Sequence, residues 1–159
     1  MSTRRIVTGI ALAGLVLLAS GLSAQEIKGS GSNMFVPQVV ETFTLADGTT
    51  VNRMSFKGFI IADDPSNPLR QASMTCTGTA VVANDGKPIR SGGTCDSVDG
   101  DGDVAFYWWR ADEKGGRWGF LGGTGKWVTV EGGGTYEPSA TWKDGRQANK
   151  WKGSWKTTK

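Results

Sequence analysis

The stretch Trp118-Gly-Phe-Leu-Gly-Gly-Thr-Gly-Lys-Trp-Val-Thr-Val-Glu-Gly-Gly-Gly-Thr-Tyr136 alternates short apolar or aromatic segments with clusters of glycine. Residues 122–125 carry three glycines, and residues 132–134 are all glycine. Glycine adopts the positive φ angles of tight hairpin turns at no steric cost. The stretch therefore predicts a strand, a turn, a second strand around Trp127, another turn and a third strand.

The same pattern extends over most of the chain. Residues 51–62 and 71–83 alternate apolar and polar side chains, as half-buried strands do. Near the C-terminus Trp151, Gly153 and Trp155 alternate with lysines, so we expect tryptophan to face the core and lysine the solvent. About eight such strands joined by short turns predict an all-β fold, a small closed antiparallel β-barrel.

Residues 34–46 are the segment with the least regular pattern. Their apolar side chains fit neither the helical period nor the strand period, and Pro37 interrupts them. We expect a short helical turn here that leads into a strand.

Residues 1–24 have the features of a secretory signal peptide: two arginines near the start, an apolar run and a small-residue end at Ala24. A membrane anchor is the alternative, but the apolar run is shorter than the roughly 20 residues that a spanning helix needs. We expect cleavage after Ala24, which leaves residues 25–159 as one barrel domain. The protein would then be exported, periplasmic or secreted, with no stable membrane insertion after cleavage.

The charge of the chain depends on this segment. The whole chain has 18 basic and 15 acidic residues, and residues 1–24 contain two of the basic ones, so the mature domain has a net charge of +1. We therefore expect no nucleic-acid partner. Lysines crowd the C-terminal end, which we interpret as a solvated strand edge. A patch for anions or a membrane surface is the alternative.

Cys76 and Cys95 are the two cysteines of the chain. A turn at residues 84–88 would place them on neighbouring antiparallel strands, and an exported protein encounters oxidising conditions. We expect them to form a disulfide; free reactive thiols are the alternative.

The chain has no histidine, which excludes Ser-His-Asp and Cys-His nucleophiles and most catalytic zinc sites. Asp99-Gly-Asp-Gly-Asp103 begins like a calcium loop, but Val104 stands where that loop needs glycine. Aspartate and glycine also suit a hairpin turn, which is the interpretation we favour. We expect no metal, no cofactor and no catalytic residues.

Seven tryptophans are an excess for a chain of this length. Four or five would fill the core, and the others would line a pocket for a small apolar or aromatic molecule. If Trp127 faces the interior, strict alternation places Glu131 there too, with a raised pKa; a hydrated position at the barrel mouth is the alternative. The candidate ligand-binding residues are Trp109, Trp127, Glu131, Tyr136 and Trp151.

Two turn motifs carry a resemblance to a known family. Gly122-Gly-Thr-Gly-Lys-Trp127 followed by Gly132-Gly-Gly-Thr-Tyr136 resembles the pattern of allene oxide cyclase-like and dirigent-like barrels. The order of the two cysteines and residues 99–103 is similar to small exported bacterial proteins related to that barrel. The resemblance covers roughly residues 75–155. It implies an eight-stranded calycin-like barrel with an apolar cavity, often in homo-oligomers, which plant members use to steer cyclisation or radical coupling.

Three functions follow from these observations. We expect an exported β-barrel that binds a small apolar or aromatic ligand without catalysis. The first alternative is a cyclase or isomerase that acts by cavity shape with Glu131 and Tyr136. The second is an envelope or host-facing protein-interaction module that uses outward-facing tryptophans.

Overall fold

A computed structural model describes residues 25–157, which form one closed barrel of eight antiparallel strands in sequence order. The strands are β1 Gln25–Thr44, β2 Thr50–Ala62, β3 Ala72–Val82, β4 Pro88–Val98, β5 Val104–Asp112, β6 Gly115–Gly123, β7 Glu131–Thr141 and β8 Gln147–Thr157. β8 pairs with β1 and closes the barrel. The predicted all-β fold and closed barrel are confirmed. The predicted signal peptide, residues 1–24, lies outside the described residues.

β1 is one continuous strand of 20 residues. Its first part pairs with β8 and its second part with β2. The pairing with β2 shifts by one residue between Val39 and Glu41, which marks a β-bulge. Apolar side chains are exposed both before the bulge, at Met34 and Val36, and after it, at Phe43, so residues 34–46 show no single buried face. The predicted helical turn in that segment is wrong.

The middle strand predicted around Trp127 is also wrong. Gly125–Trp127 form a 3-10 turn, η1, and β7 begins only at Glu131, so the glycines at 132–134 lie inside a strand. The amide of Trp127 donates to the carbonyl of Thr124 at 2.9 Å, and this turns the indole into the barrel, where it is fully buried. Burial of a large aromatic side chain outweighs the strand propensity of Val-Thr-Val. Within residues 25–157 no helix is long and apolar enough to cross a membrane.

Cys76 of β3 lies directly opposite Cys95 of β4, and the two form a disulfide. Their Cα atoms are 4.0 Å apart. Both side chains point into the barrel and are buried. The predicted disulfide is confirmed.

β8 shows the predicted alternation. Trp151 and Trp155 are buried inside the barrel, whereas Lys150, Lys152 and Lys156 are exposed on its outer face. β8 is hydrogen-bonded to β7 on one side and to β1 on the other. The lysines therefore do not lie on a strand edge, and that interpretation is wrong.

Candidate ligand-binding cavity

The barrel encloses a cavity of about 490 Å³. Its wall consists of inward-facing side chains from the strands, most of them aromatic or aliphatic. The larger ones are Phe35, Met54, Phe56, Met74, Tyr107, Trp109, Trp118, Phe120, Tyr136 and Trp151. The disulfide also contributes to the wall.

The two ends of the barrel differ. At one end the connection between β2 and β3 folds inward: Leu69 is buried and lines the cavity, and its amide donates to Oδ1 of buried Asn67 at 2.9 Å. At the other end the lining residues Pro88, Arg90 and Pro138 are exposed. The cavity therefore opens at the end that carries the β3–β4 and β7–β8 turns. We call the exposed lining residues at this end, Pro88, Arg90 and Pro138, the rim.

Aromatic rings brace the wall through edge-to-face contacts. The ring centroids of Phe56 and Trp109 are 5.5 Å apart with planes at 86°, and those of Trp118 and Trp151 are 6.1 Å apart at 90°. Such pairs are worth roughly 0.5–1.5 kcal/mol beyond their buried area. The interlocked rings hold their positions around the cavity rather than collapsing into it.

Glycines in neighbouring strands make room for these rings. A β-carbon on Gly153 of β8 would lie 2.6 Å from Cζ2 of Trp118, and one on Gly78 of β3 would lie 2.6 Å from Cζ2 of Trp109. Both distances are far below ordinary van der Waals contact. The indoles therefore lie against bare backbone, which widens the space left in the lumen.

Trp127 closes the far end of the barrel below the cavity. It stacks on Phe120, a lining residue, with ring centroids 5.4 Å apart and planes at 21°. Its Nε1 donates to Oδ2 of Asp99 at 2.8 Å. Trp127 therefore supports the closed end of the cavity by packing against Phe120, but it does not itself line the cavity.

The aspartates at 99–103 surround a lysine ammonium. Nζ of Lys126 lies 2.7 Å from Asp99, 2.6 Å from Asp101 and 3.5 Å from Asp103. Within residues 25–157 no group of three or more histidine, cysteine, aspartate or glutamate side chains is placed to hold a metal ion. The ammonium group of Lys126 supplies the positive charge that lies among these three carboxylates. This arrangement agrees with the turn interpretation of the segment.

The carboxyl group of Asp99 has a lowered pKa. Burial of this side chain, only 1% exposed, would by itself raise the pKa. Hydrogen bonds from Lys126 and from the indole of Trp127 stabilise the carboxylate more strongly and shift the pKa below its usual value. Asp99 is therefore a buried anion at neutral pH.

Two tyrosines line the cavity, and both stay neutral at physiological pH. Burial raises the pKa of Tyr107, whose hydroxyl accepts a hydrogen bond from Ser97 Oγ at 3.1 Å. Burial also raises the pKa of Tyr136 to about 12. Neither phenol can serve as a base near pH 7.

The structure brings together three of the five candidate residues. Trp109, Tyr136 and Trp151 line one cavity, and Trp127 lies beneath it. Glu131 is exposed at the start of β7 and does not contribute to the wall. Strict alternation places Glu131 inside only if one strand runs unbroken through residues 127–131, and η1 interrupts that strand.

Sequence reasoning missed Arg90, which lies at the rim. β4 has a bulge at this point: Val82 pairs with Pro88 and Val81 with Arg90, so Ile89 is an extra residue and Arg90 shares the outer face of Val81. No feature of the sequence marks this bulge. The outward-facing Trp108 and Trp142 play no part in the cavity, and the guanidinium carbons of Arg110 and Arg146 lie 5.2 Å and 5.8 Å from their ring centroids.

Comparison of the chain with protein-family models, with the curated proteins and with the solved structures gave no match. The assignment to allene oxide cyclase-like barrels therefore stays a prediction, and the function is argued from the cavity.

Proposed function

We propose that the barrel binds a small apolar or aromatic molecule in its interior and does not transform it chemically. The observation that carries this proposal is the cavity of about 490 Å³ with its largely aromatic wall. Small-molecule sites are typically concave, apolar and roughly 300–1,000 Å³ in volume. Trp109, Tyr136 and Trp151 would contact the ligand.

The composition of the wall supports binding rather than catalysis. No aspartate or glutamate is among the residues that the structure places around the cavity, and the chain has no histidine. The two tyrosines there have raised pKa values and are neutral. The wall offers shape and apolar surface but no group that exchanges protons near pH 7. Because Glu131 lies outside the cavity, no observation favours the cyclase alternative.

We also infer that the protein is exported and related to the allene oxide cyclase-like barrels. The disulfide supports the first part, since such bonds persist in oxidising compartments. The eight-stranded barrel with an apolar interior is consistent with the second. Mass spectrometry of the protein recovered from a bacterial periplasm would test export, with loss of residues 1–24 as the expected result.

A titration with the neutral fluorescent probe N-phenyl-1-naphthylamine tests ligand binding. The variant Ala80→Trp places a large side chain at a lining position, whereas Val81→Trp, the matched control, adds the same bulk on the opposite face of β3. We expect the wild type and Val81→Trp to bind the probe. We expect Ala80→Trp to bind at least about tenfold more weakly, a loss of ~1.4 kcal/mol. Equal affinities in the two variants, or no binding to wild type, would contradict the proposal.

A further inference from the structure

We propose that the outer face of β5–β8, with the adjoining start of β1, binds an acidic polysaccharide whose sulfate or carboxylate groups contact four basic side chains. We call these side chains the basic strip: Lys28, Arg110, Arg117 and Lys152. The strip lies on the outside of the barrel and not in the cavity, so this inference is independent of the proposed function.

The pairing of the strands places the four residues together on the outer face. All four are exposed, and a strand neighbour of each packs in the interior: Ile27, Trp109, Trp118 and Trp151. The pairing runs from Arg110 to Arg117, Thr135, Lys152 and Ser30, two residues beyond Lys28. Neighbouring strands are about 4.8 Å apart, so the strip extends for roughly 19 Å across five strands.

The charges of the strip are not neutralised within the barrel. Arg110 lies directly opposite Arg117, and like charges in such positions destabilise an antiparallel pair. None of the four basic residues is in an ion pair within residues 25–157. The guanidinium carbon of Arg110 lies 5.2 Å from the ring centroid of Trp108, on the same outer face. An anionic partner would relieve the repulsion between the two guanidiniums and receive charge-assisted hydrogen bonds.

Carboxylates of this face flank the strip but do not lie within it. The remaining positions in its two pairing rows are neutral: Ser30, Trp108, Gly119, Gly133, Thr135 and Ser154. The flanking row towards the closed end has Glu26, Lys156 and Glu131, and the row towards the open end has Asp112, Glu137 and Lys150. In the turns beyond, Glu113 precedes Lys114, and Asp144 is ion-paired with Arg146. Each flanking row thus has two carboxylates and one lysine, which confines the positive potential to a narrow band.

The neutral residues of the strip indicate the kind of anion. The hydroxyl groups of Ser30, Thr135 and Ser154 lie between the basic side chains, and a hydroxyl both donates and accepts hydrogen bonds. A narrow band of positive charges and hydroxyls matches a linear chain that carries acidic groups and hydroxyls. An acidic polysaccharide has both, and a flexible chain can follow the convex wall of a closed barrel.

Two other anionic partners fit this face less well. Surfaces that bind lipid bilayers bury apolar side chains in addition to basic ones, and none of the large apolar side chains exposed on the described barrel belongs to the strip. Single-stranded nucleic acid stacks successive bases on aromatic side chains. Trp108 is the one aromatic residue in the two rows, and Arg110 lies over its ring.

Anisotropy titrations with fluorescein-labelled dextran sulfate test the inference, and labelled dextran of equal length is the neutral reference. Both are measured at neutral pH and physiological ionic strength. The proteins are the wild type, the double variant Arg110→Gln/Arg117→Gln and the matched control Arg70→Gln/Arg146→Gln. The control removes the same charge from two exposed arginines in connections outside the strip. Far-ultraviolet circular dichroism shows whether both variants keep the fold.

We expect the wild type and the control to bind dextran sulfate but not dextran. Arg110→Gln/Arg117→Gln should bind dextran sulfate at least about tenfold more weakly, because two charge-assisted contacts are lost. Binding by the wild type should weaken as the salt concentration rises.

Three results would overturn the inference. Failure of the wild type to bind dextran sulfate would show that the strip is only a solvated face. An equal loss of affinity in the two double variants would show that net charge acts without the strip. Tighter binding to an oligothymidylate or to phosphatidylserine vesicles than to dextran sulfate would show that the partner is a different polyanion. None of these results bears on ligand binding in the cavity.

Discussion

The indole N–H of Trp127 donates to Oδ2 of Asp99 at 2.8 Å, and neither side chain has significant exposure to solvent. The bond joins η1 to the β4–β5 turn across the closed end of the barrel. The same carboxylate accepts the amide of Asp101 at 2.9 Å and Nζ of Lys126 at 2.7 Å. One buried anion thus joins two segments that are separate in the chain, the β4–β5 turn and η1.

Replacement of Asp99 by asparagine should destabilise the protein. The amide oxygen of asparagine is neutral, so its hydrogen bonds to these donors are weaker than those of a carboxylate. Hydrogen bonds to charged groups contribute about 1.5–3 kcal/mol each. We expect the free energy of unfolding in urea to fall by about 2 kcal/mol. Asp101→Asn is the control, since Asp101 also binds Lys126 but its side chain is 79% exposed. A loss in Asp101→Asn as large as in Asp99→Asn would contradict the assignment.

The lowered pKa of Asp99 predicts a pH dependence of stability. Burial opposes ionisation, but the hydrogen bonds from Lys126 and Trp127 outweigh it, so the folded pKa lies below the unfolded value. Its contribution to stability is therefore present above the unfolded pKa and is lost as pH falls through the folded one. Between pH 7 and pH 3, wild type should lose more unfolding free energy than Asp99→Asn. Parallel profiles for the two proteins would refute this.

Gly153 lies directly beside the indole of Trp118, so adding one methyl group at this position should lower the free energy of unfolding. Gly153→Ala places a β-carbon 2.6 Å from Trp118, and paired backbone prevents that segment from moving away. We expect a loss of about 1–3 kcal/mol, as for overpacked cores. Gly100→Ala is the matched control, because a β-carbon there has no neighbour within 4 Å. Thermal unfolding of both variants tests this prediction. Similar melting temperatures would contradict it, because they would show that the barrel wall shifts to accommodate the added β-carbon.

Loss of the disulfide should lower stability without abolishing the fold. The bridge spans 19 positions in sequence, for which the chain-entropy estimate gives about 3 kcal/mol. A variant with Cys76→Ala and Cys95→Ala should unfold at correspondingly lower urea concentration. Dithiothreitol should bring the wild type to the level of this variant and leave the variant unchanged. An effect of the reductant on the variant would show that the bridge is not its target.

How far the sequence predicts the structure depends on how local each feature is. The alternation of Trp151 and Trp155 with lysines needs only the period of a strand, so the inward and outward faces of β8 are predicted correctly. The disulfide follows from one hairpin. η1 is missed because Val-Thr-Val has strand propensity, and the burial of Trp127 that overrides it is a tertiary effect.

In the candidate site, too, residues on regular strands are predicted correctly and residues next to irregularities are not. Trp109 and Trp151 lie on uninterrupted strands, and period two places them inside the barrel as expected. Glu131 lies just beyond an irregularity, because η1 ends at Trp127 and β7 begins at Glu131. This irregularity resets the alternation, so the period-two pattern predicts an inward glutamate where the structure has an exposed one.

The seam between β6 and β7 has a dynamic consequence. These strands pair only from Gly116 opposite Tyr136 to Gly119 opposite Gly133, the shortest register between neighbours in the barrel. Residues 120–123 have no partner in β7 within the described chain, and η1 occupies the gap. Local opening free energies are lowest where cross-strand bonds are fewest. We expect the barrel wall to open transiently beside Trp127 while the disulfide-linked strands β3 and β4 remain closed. Amide hydrogens along the β6–β7 seam should therefore exchange before those of the other strands.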